Sequence, residues 1–292
     1  MEIAELVKKI RKIEIRTRRL SQQLLVGSYH TALKGRGMSF SEVRSYQFGD
    51  DVRHINWNVT ARTGEPHLKV FEEEREQTIM LIIDVSQSIF FDNHNVTKNE
   101  YILELGAVLA FAAATHQDRV GLLIFSDQIE QFIPPQKGRS HTLLLLKTLL
   151  QHKPRGKQTS LSVALQFFNK MQQKRCVAFV LSDFINVGTD FHAPLRVAAR
   201  RHDLIGIQVI DPREKKLPKV GLMRAYDAET NAEQWIDTQS ATVRAAYENH
   251  FEEQTKQFVA QFEKNGAAAL QLETTVSYEK LLSQFFRKRT QN

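Results

Sequence analysis

From residue 77 onward, short apolar runs alternate with stretches of helical periodicity. The run Ile79-Met80-Leu81-Ile82-Ile83 is uninterrupted and ends in Asp84, the pattern of a parallel strand covered on both faces. The pattern predicts strands at 78–84, 120–125, 176–181, 204–210 and 268–273, with a hairpin arm at 128–133 that Pro134-Pro135 ends. Helices are predicted at 99–115, 140–151, 162–171, 194–202, 242–264 and 278–287, and Gly266 is a stop for the longest. A polar insertion carries short strands at 221–226 and 234–237. Strands alternating with helices imply βαβ units, hence an α/β fold with a mostly parallel sheet flanked by helices.

The first 76 residues have a different character. Ile3, Leu6, Val7, Ile10 and Ile13 recur at helical spacing, which predicts an amphipathic helix. After the glycine-punctuated loop Lys34-Gly35-Arg36-Gly37-Met38-Ser39-Phe40, short extended segments are expected at 42–46 and 66–73. The chain therefore divides into a smaller N-terminal α+β region, 1–76, and an α/β domain, 77–292.

Composition adds limits. Apolar residues make up 42% and charged residues 25%, an ordinary globular balance. No run nears the roughly 18 apolar residues that suggest a bilayer span; the stretch from Gly106 to Ala114 reads as a buried helix. The start, Met1-Glu2-Ile3-Ala4-Glu5, lacks the features of a secretory signal, so a cytoplasmic location is expected. The single cysteine, Cys176, lies in an apolar run and is expected to be a buried thiol. Of the net charge of +7, four charges fall within residues 1–20, on the outer face of the first helix. That helix docks on its own protein, or else attaches to a membrane surface or an acidic partner.

The candidate chemistry follows the first strand of the α/β domain. Asp84, Ser86 and Ser88 alternate, so a tight loop can turn three oxygens to one point. A second strand ends in Ser182-Asp183, and Thr159 sits in the loop before the intervening helix. Ligands of open α/β sheets gather at the carboxyl ends of strands, and hard cations such as Mg2+ take oxygen ligands and keep several waters. This Asp-x-Ser-x-Ser, Thr, Asp arrangement resembles the metal-ion-dependent adhesion site of von Willebrand factor type A domains. The resemblance implies a divalent cation, most simply Mg2+, bound directly by Ser86, Ser88 and Thr159, with Asp84 and Asp183 acting directly or through water. It also implies one coordination position left for a carboxylate of a partner protein.

A second resemblance covers nearly the whole chain. Gly35-Arg36-Gly37-Met38, Phe40-Ser41-Glu42-Val43-Arg44-Ser45-Tyr46 and the run from Gly49-Asp50-Asp51-Val52-Arg53 to Trp57-Asn58-Val59-Thr60-Ala61-Arg62 are similar to the bacterial family catalogued as domain of unknown function fifty-eight. So are Phe71-Glu72-Glu73-Glu74-Arg75-Glu76, Asp118-Arg119-Val120-Gly121-Leu122 and Asp211-Pro212-Arg213-Glu214. That resemblance implies a von Willebrand A-like domain working beside an AAA+ ATPase of the MoxR type in a chaperone-like system. The chain departs from the family at Asn56, where Asp is usual, and at Ile89, where Met is common. Asp50 and Asp51 are expected to pair with Arg53, Arg62 and Arg75 in a buried network, and Trp57 is either core or an interface anchor.

Two other classes fit less well. A metal-dependent hydrolase built on Asp84, Asp183 and His54 would collect more negative charge than Ser and Thr ligands leave, so no enzyme is expected. Gly156-Lys157-Gln158-Thr159 lacks the earlier glycine of a phosphate loop, since residue 151 is Gln. A sequence pI near 9.4 raises nucleic-acid binding, but no recognition motif accompanies the charge. The expected function is a non-catalytic interaction module.

Overall fold

The computed structural model describes residues 39–48, 50–72, 77–87, 98–156, 158–185, 187–226 and 233–291. The expected helix at 3–13, Ser88, Ile89 and Arg75 lie outside the described residues.

In the N-terminal part, strand β1 (Ser39–Ser45) pairs antiparallel with β2 (His67–Glu72), and a 3-10 turn (Val52–His54) and helix α1 (Trp57–Thr63) lie between them in sequence. Ser39 and Phe40, expected in a loop, belong to β1 and pair with Glu72 and Phe71. The anticipated buried ion network is not formed as expected. Asp50 pairs bidentately with Arg44 at 2.7 and 2.8 Å, while Asp51 caps the 3-10 turn and meets Arg53 in an exposed pair. Sequence-local geometry decides this: Asp51 accepts the backbone N–H of Arg53, which also brings the Arg53 guanidinium against the same carboxylate. Arg62 is exposed. Trp57 is 70% exposed, which removes it from the core.

The larger part is built on β3 (Thr78–Asp84), α2 (Lys98–Thr115), β4 (Arg119–Phe125), β5 (Ile129–Gln136), α3 (Arg139–Gln151), α4 (Leu161–Met171), β6 (Val177–Ser182), α5 (His192–Arg201) and β7 (Asp203–Ile210). A second 3-10 turn (Pro212–Lys215), the hairpin β8 (Leu222–Tyr226) and β9 (Glu233–Asp237), helix α6 (Ala241–Lys264), β10 (Ala268–Glu273) and α7 (Tyr278–Gln291) follow. The central sheet has the order β10-β7-β6-β3-β4-β5. All neighbours in it are parallel except β5, which runs antiparallel to β4. The mostly parallel α/β class expected from the sequence is the observed one.

Period-two alternation along β3 divides the core. Ile79, Leu81 and Ile83 pack on one face with α2, α3 and α7; Met80 and Ile82 pack on the other with α4, α5 and α6. A strand buried on both faces needs apolar side chains at every position, and each fully buried Ile or Leu contributes about 1.5–3 kcal/mol. At Gly206 in β7 a Cβ would stand 2.4 Å from the Phe262 ring, so glycine is what lets α6 lie against this face.

Pro134 and Pro135 do not end the hairpin arm: β5 runs through both to Gln136. The strand is at the sheet's edge, where a missing N–H costs no ladder bond, and the register shifts between Val120 and Leu122 opposite them. Helix α5 starts two residues earlier than expected, placing Pro194 in the first turn, where its absent N–H has no helical acceptor to lose. Among the described residues, no helix is long and apolar enough to cross a membrane.

Candidate functional site

Strand order reverses between β3 and β6: the chain winds from β3 outward through β4 and β5, then returns to β6 and winds the other way. A crevice at the carboxyl ends of these two strands is where doubly wound sheets place their ligands. Asp84 is the last residue of β3, and Ser182 ends β6 beside it, with Asp183 the next residue.

Asp84 is 1% exposed, and neutral donors hold both of its oxygens. Oδ1 accepts the Ser86 N–H at 2.8 Å, and Oδ2 accepts the Ser182 hydroxyl at 2.6 Å. The first bond is local, closing a turn directly after β3, and Ser86 is itself buried. The second joins the two strands. The apolar run alone ends the strand at Leu181 and gives Ser182 no role; a hydroxyl directly before the acid is the signal that marks it.

Side chains of adjacent strand residues point to opposite faces, yet Ser182 and Asp183 both serve this edge. The backbone beyond them explains how. Phe184 adopts a left-handed conformation, φ 52°, unusual for a bulky side chain. Its N–H donates to Ser182 Oγ, the Ile185 N–H donates to Asp183 Oδ1, and Gln208 Nε2 donates to the Asp183 carbonyl. The Phe184 ring stacks on Phe258 at 4.3 Å and meets Phe262 edge-on, so packing holds a turn that backbone preference resists.

Thr159 reaches the same edge from the other side. Phe125, at the end of β4, is the register partner of Asp84, and the next residue, Ser126, accepts the Ser160 N–H at 2.9 Å. Glu130 anchors the preceding loop. Its carboxylate takes the Ser126 hydroxyl, His152 Nε2 and the N–H groups of Arg155 and Gly156. Burial pushes Glu130 up, but the bonds from Gly156, Ser126, Arg155 and His152 outweigh it and hold the carboxyl below its ordinary value. Thr159 Oγ1 is buried and has no hydrogen-bond partner.

A further group enters the site. The Lys98 ammonium is 2.8 Å from Asp183 Oδ2 and 2.6 Å from Glu214 Oε1, and all three side chains are largely buried. Burial alone would lower Lys98, but Asp183 and Glu214 together raise it above the usual lysine value. Burial pushes Glu214 up, with Lys98 opposing. Asp84 is pushed up to about 7, first by burial and then by the charge of Asp183, against the bonds from Ser182 and Ser86. Asp183 and Glu214 thus face a single ammonium, and Asp84 lies near enough to Asp183 for their charges to repel, so the site carries excess negative charge when all are ionised.

Of the five residues expected to ligate, Asp84, Ser86 and Asp183 are buried at the switch point, and Thr159 presents an oxygen without a partner on the same sheet edge. Ser88 is outside the described residues. His54, considered for a hydrolase, is exposed on the 3-10 turn of the N-terminal part. Among the described residues no group of three or more His, Cys, Asp or Glu side chains is arranged to hold a metal. A cation here would depend on hydroxyl and water oxygens too. The orphaned Thr159 hydroxyl and the excess negative charge fit a hard divalent cation.

The family model described as "Protein of unknown function DUF58" matches residues 42–257. Uncharacterized proteins of Mycobacterium bovis and Mycobacterium tuberculosis are 32% identical over 223 residues, spanning 76% of this chain and 70% of theirs. Among solved structures, the conserved hypothetical protein BatB from Bacteroides thetaiotaomicron aligns over 74% of this chain and 100% of its own, with 14% identity and a TM-score of 0.49. A von Willebrand factor type A protein from Catenulispora acidiphila aligns over 75% of this chain and 43% of its own, with 10% identity and a TM-score of 0.40.

Proposed function

We propose that this chain, which belongs to the family described as "Protein of unknown function DUF58", is a non-catalytic interaction module that captures a carboxylate of a partner protein through a bound divalent cation. Asp84, Ser86, Ser88, Thr159 and Asp183 would hold the cation, with Mg2+ the foremost candidate. The observation that carries this reading is the buried Thr159 Oγ1 without a partner, on the same sheet edge as the buried Asp84. An unsatisfied buried oxygen costs about 1–3 kcal/mol, a cost that a bound cation would remove.

The donor set also supports capture rather than hydrolysis. Neutral hydroxyls leave a divalent cation incompletely neutralised, so it still attracts an incoming carboxylate. Both acids are already engaged, Asp84 by Ser86 and Ser182, Asp183 by Ile185 and Lys98, which makes neither a free general base. The family resemblance in the sequence nominates a MoxR-type AAA+ ATPase, or its client, as the partner.

The test is affinity capture of a MoxR-type ATPase on the full chain, native and Asp84→Ala, in Mg2+ and in chelator. Capture by the native chain in Mg2+ alone is expected. Equal capture in chelator contradicts the reading.

A further inference from the structure

Lys98 has no part in the cation site proposed above, yet its ammonium is 1% exposed and bridges Asp183 to Glu214. A physical rule opposes a lysine here: burial disfavours the charged form. A residue that breaks local rules while fully paired marks either a functional site or a structural necessity.

The contacts separate these alternatives, because the two site acids are treated differently. Asp84 meets neutral donors only in its hydrogen bonds from Ser86 and Ser182, so its negative charge is not cancelled by them. Asp183 has Oδ2 on a full positive charge and Oδ1 on the Ile185 N–H. A cation coordinated directly by Asp183 would have to approach the ammonium, whereas one held by Asp84 and the hydroxyls need not. Glu214 fixes the ammonium from the far side, on the 3-10 turn after β7.

We propose that Lys98 is a positioning residue: its ammonium, clamped by Glu214, keeps Asp183 from binding the cation directly. Asp183 then acts through water. The cation keeps more of its positive charge and more of its water, and so binds an incoming carboxylate better. This rests on the cation reading given under Proposed function. It adds that the chain sets how strongly its own cation is neutralised, and so trades cation affinity for partner affinity.

The experiment titrates Mn2+ into the full native chain and the double variant Lys98→Met/Glu214→Gln, following free Mn2+ by electron paramagnetic resonance and bound water by proton relaxation. Acetate is then added to each loaded protein as the carboxylate probe. Lys98→Met alone would leave two buried carboxylates without their cation; neutralising Glu214 as well limits the loss to Asp183, the residue whose release is tested. Glu214→Gln alone, which keeps the ammonium but loosens its clamp, is the milder variant, and circular dichroism checks that each is folded.

The double variant is expected to bind Mn2+ about tenfold more tightly or better, with fewer bound waters and weaker acetate binding, and Glu214→Gln to fall between it and the native chain. A purely structural role for Lys98 would not move the water count or split the two affinities in opposite directions. Native-like Mn2+ affinity and hydration in folded variants would overturn this inference while leaving the cation site intact. Absence of Mn2+ binding in every form would overturn both. Binding in the variant alone would make Lys98 the resident cation in place of a metal, and that too would overturn it.

Discussion

The Ser182 hydroxyl donates to Asp84 Oδ2 at 2.6 Å, joining the ends of two adjacent parallel strands whose residues are 98 positions apart in the chain. The same oxygen accepts the Phe184 N–H, so one side chain both steadies a buried carboxylate and sets the left-handed turn that follows.

Replacing Ser182 by Ala leaves Asp84 Oδ2 and the Phe184 N–H without these partners in a buried setting. Unfolding in urea should show a loss of about 1–3 kcal/mol. An unchanged midpoint would mean that water or another donor takes over at no cost.

Gly156 lies where a Cβ would stand 1.9 Å from Asp127 Oδ1 and 2.2 Å from Ser126 Oγ. The loop that presents Thr159 is pressed against the end of β4, and its register is held by Glu130. Gly156→Ala should lift that loop and weaken divalent-dependent partner capture, while thermal unfolding shifts by only a few degrees. Full capture by the variant would place Thr159 outside the site.

Stability should fall in acid through a residue remote from the site. His202 is buried against Phe168, its Nδ1 3.4 Å from Cys176 Sγ and its Nε2 without a partner. Burial, then the charge of Arg201, pushes it down to about 4, with Arg175 adding a smaller effect. Because the folded pKa lies below the unfolded value near 6.5, this contribution is fully present above pH 6.5 and lost as pH falls toward 4. The loss should reach about 2–3 kcal/mol. Denaturation of native and His202→Gln chains across that window checks it: the variant should show a flatter slope, and parallel slopes would assign the acid sensitivity elsewhere.

Much of the fold was legible because β3, β6 and β7 are apolar at nearly every position, a signal that sidedness cannot blur. Asp84 and Asp183 stood out because each interrupts such a run. Ser182 did not, since a serine at a strand end reads equally as a cap. Lys98 was illegible for a stronger reason: lysines are almost never fully buried unless paired, and its partners lie 85 and 116 residues away. Glu214 lay within a segment matched to the family, but without the fold nothing joined it to Lys98. Pro134 and Pro135 misled because a proline ends a central strand and not an edge strand, and edge position is a property of the sheet order. Trp57 was undecidable locally, as an aromatic residue suits a core or a surface equally until its neighbours are known.

The central claim is that Asp84 and Thr159 belong to one cation site. Isothermal titration of Mg2+ into the native chain, Asp84→Asn and Thr159→Val measures this directly. A single saturable site in the native chain is predicted, abolished in Asp84→Asn and weakened by about tenfold or more in Thr159→Val. Equal binding by all three chains, or none by the native chain, would contradict it.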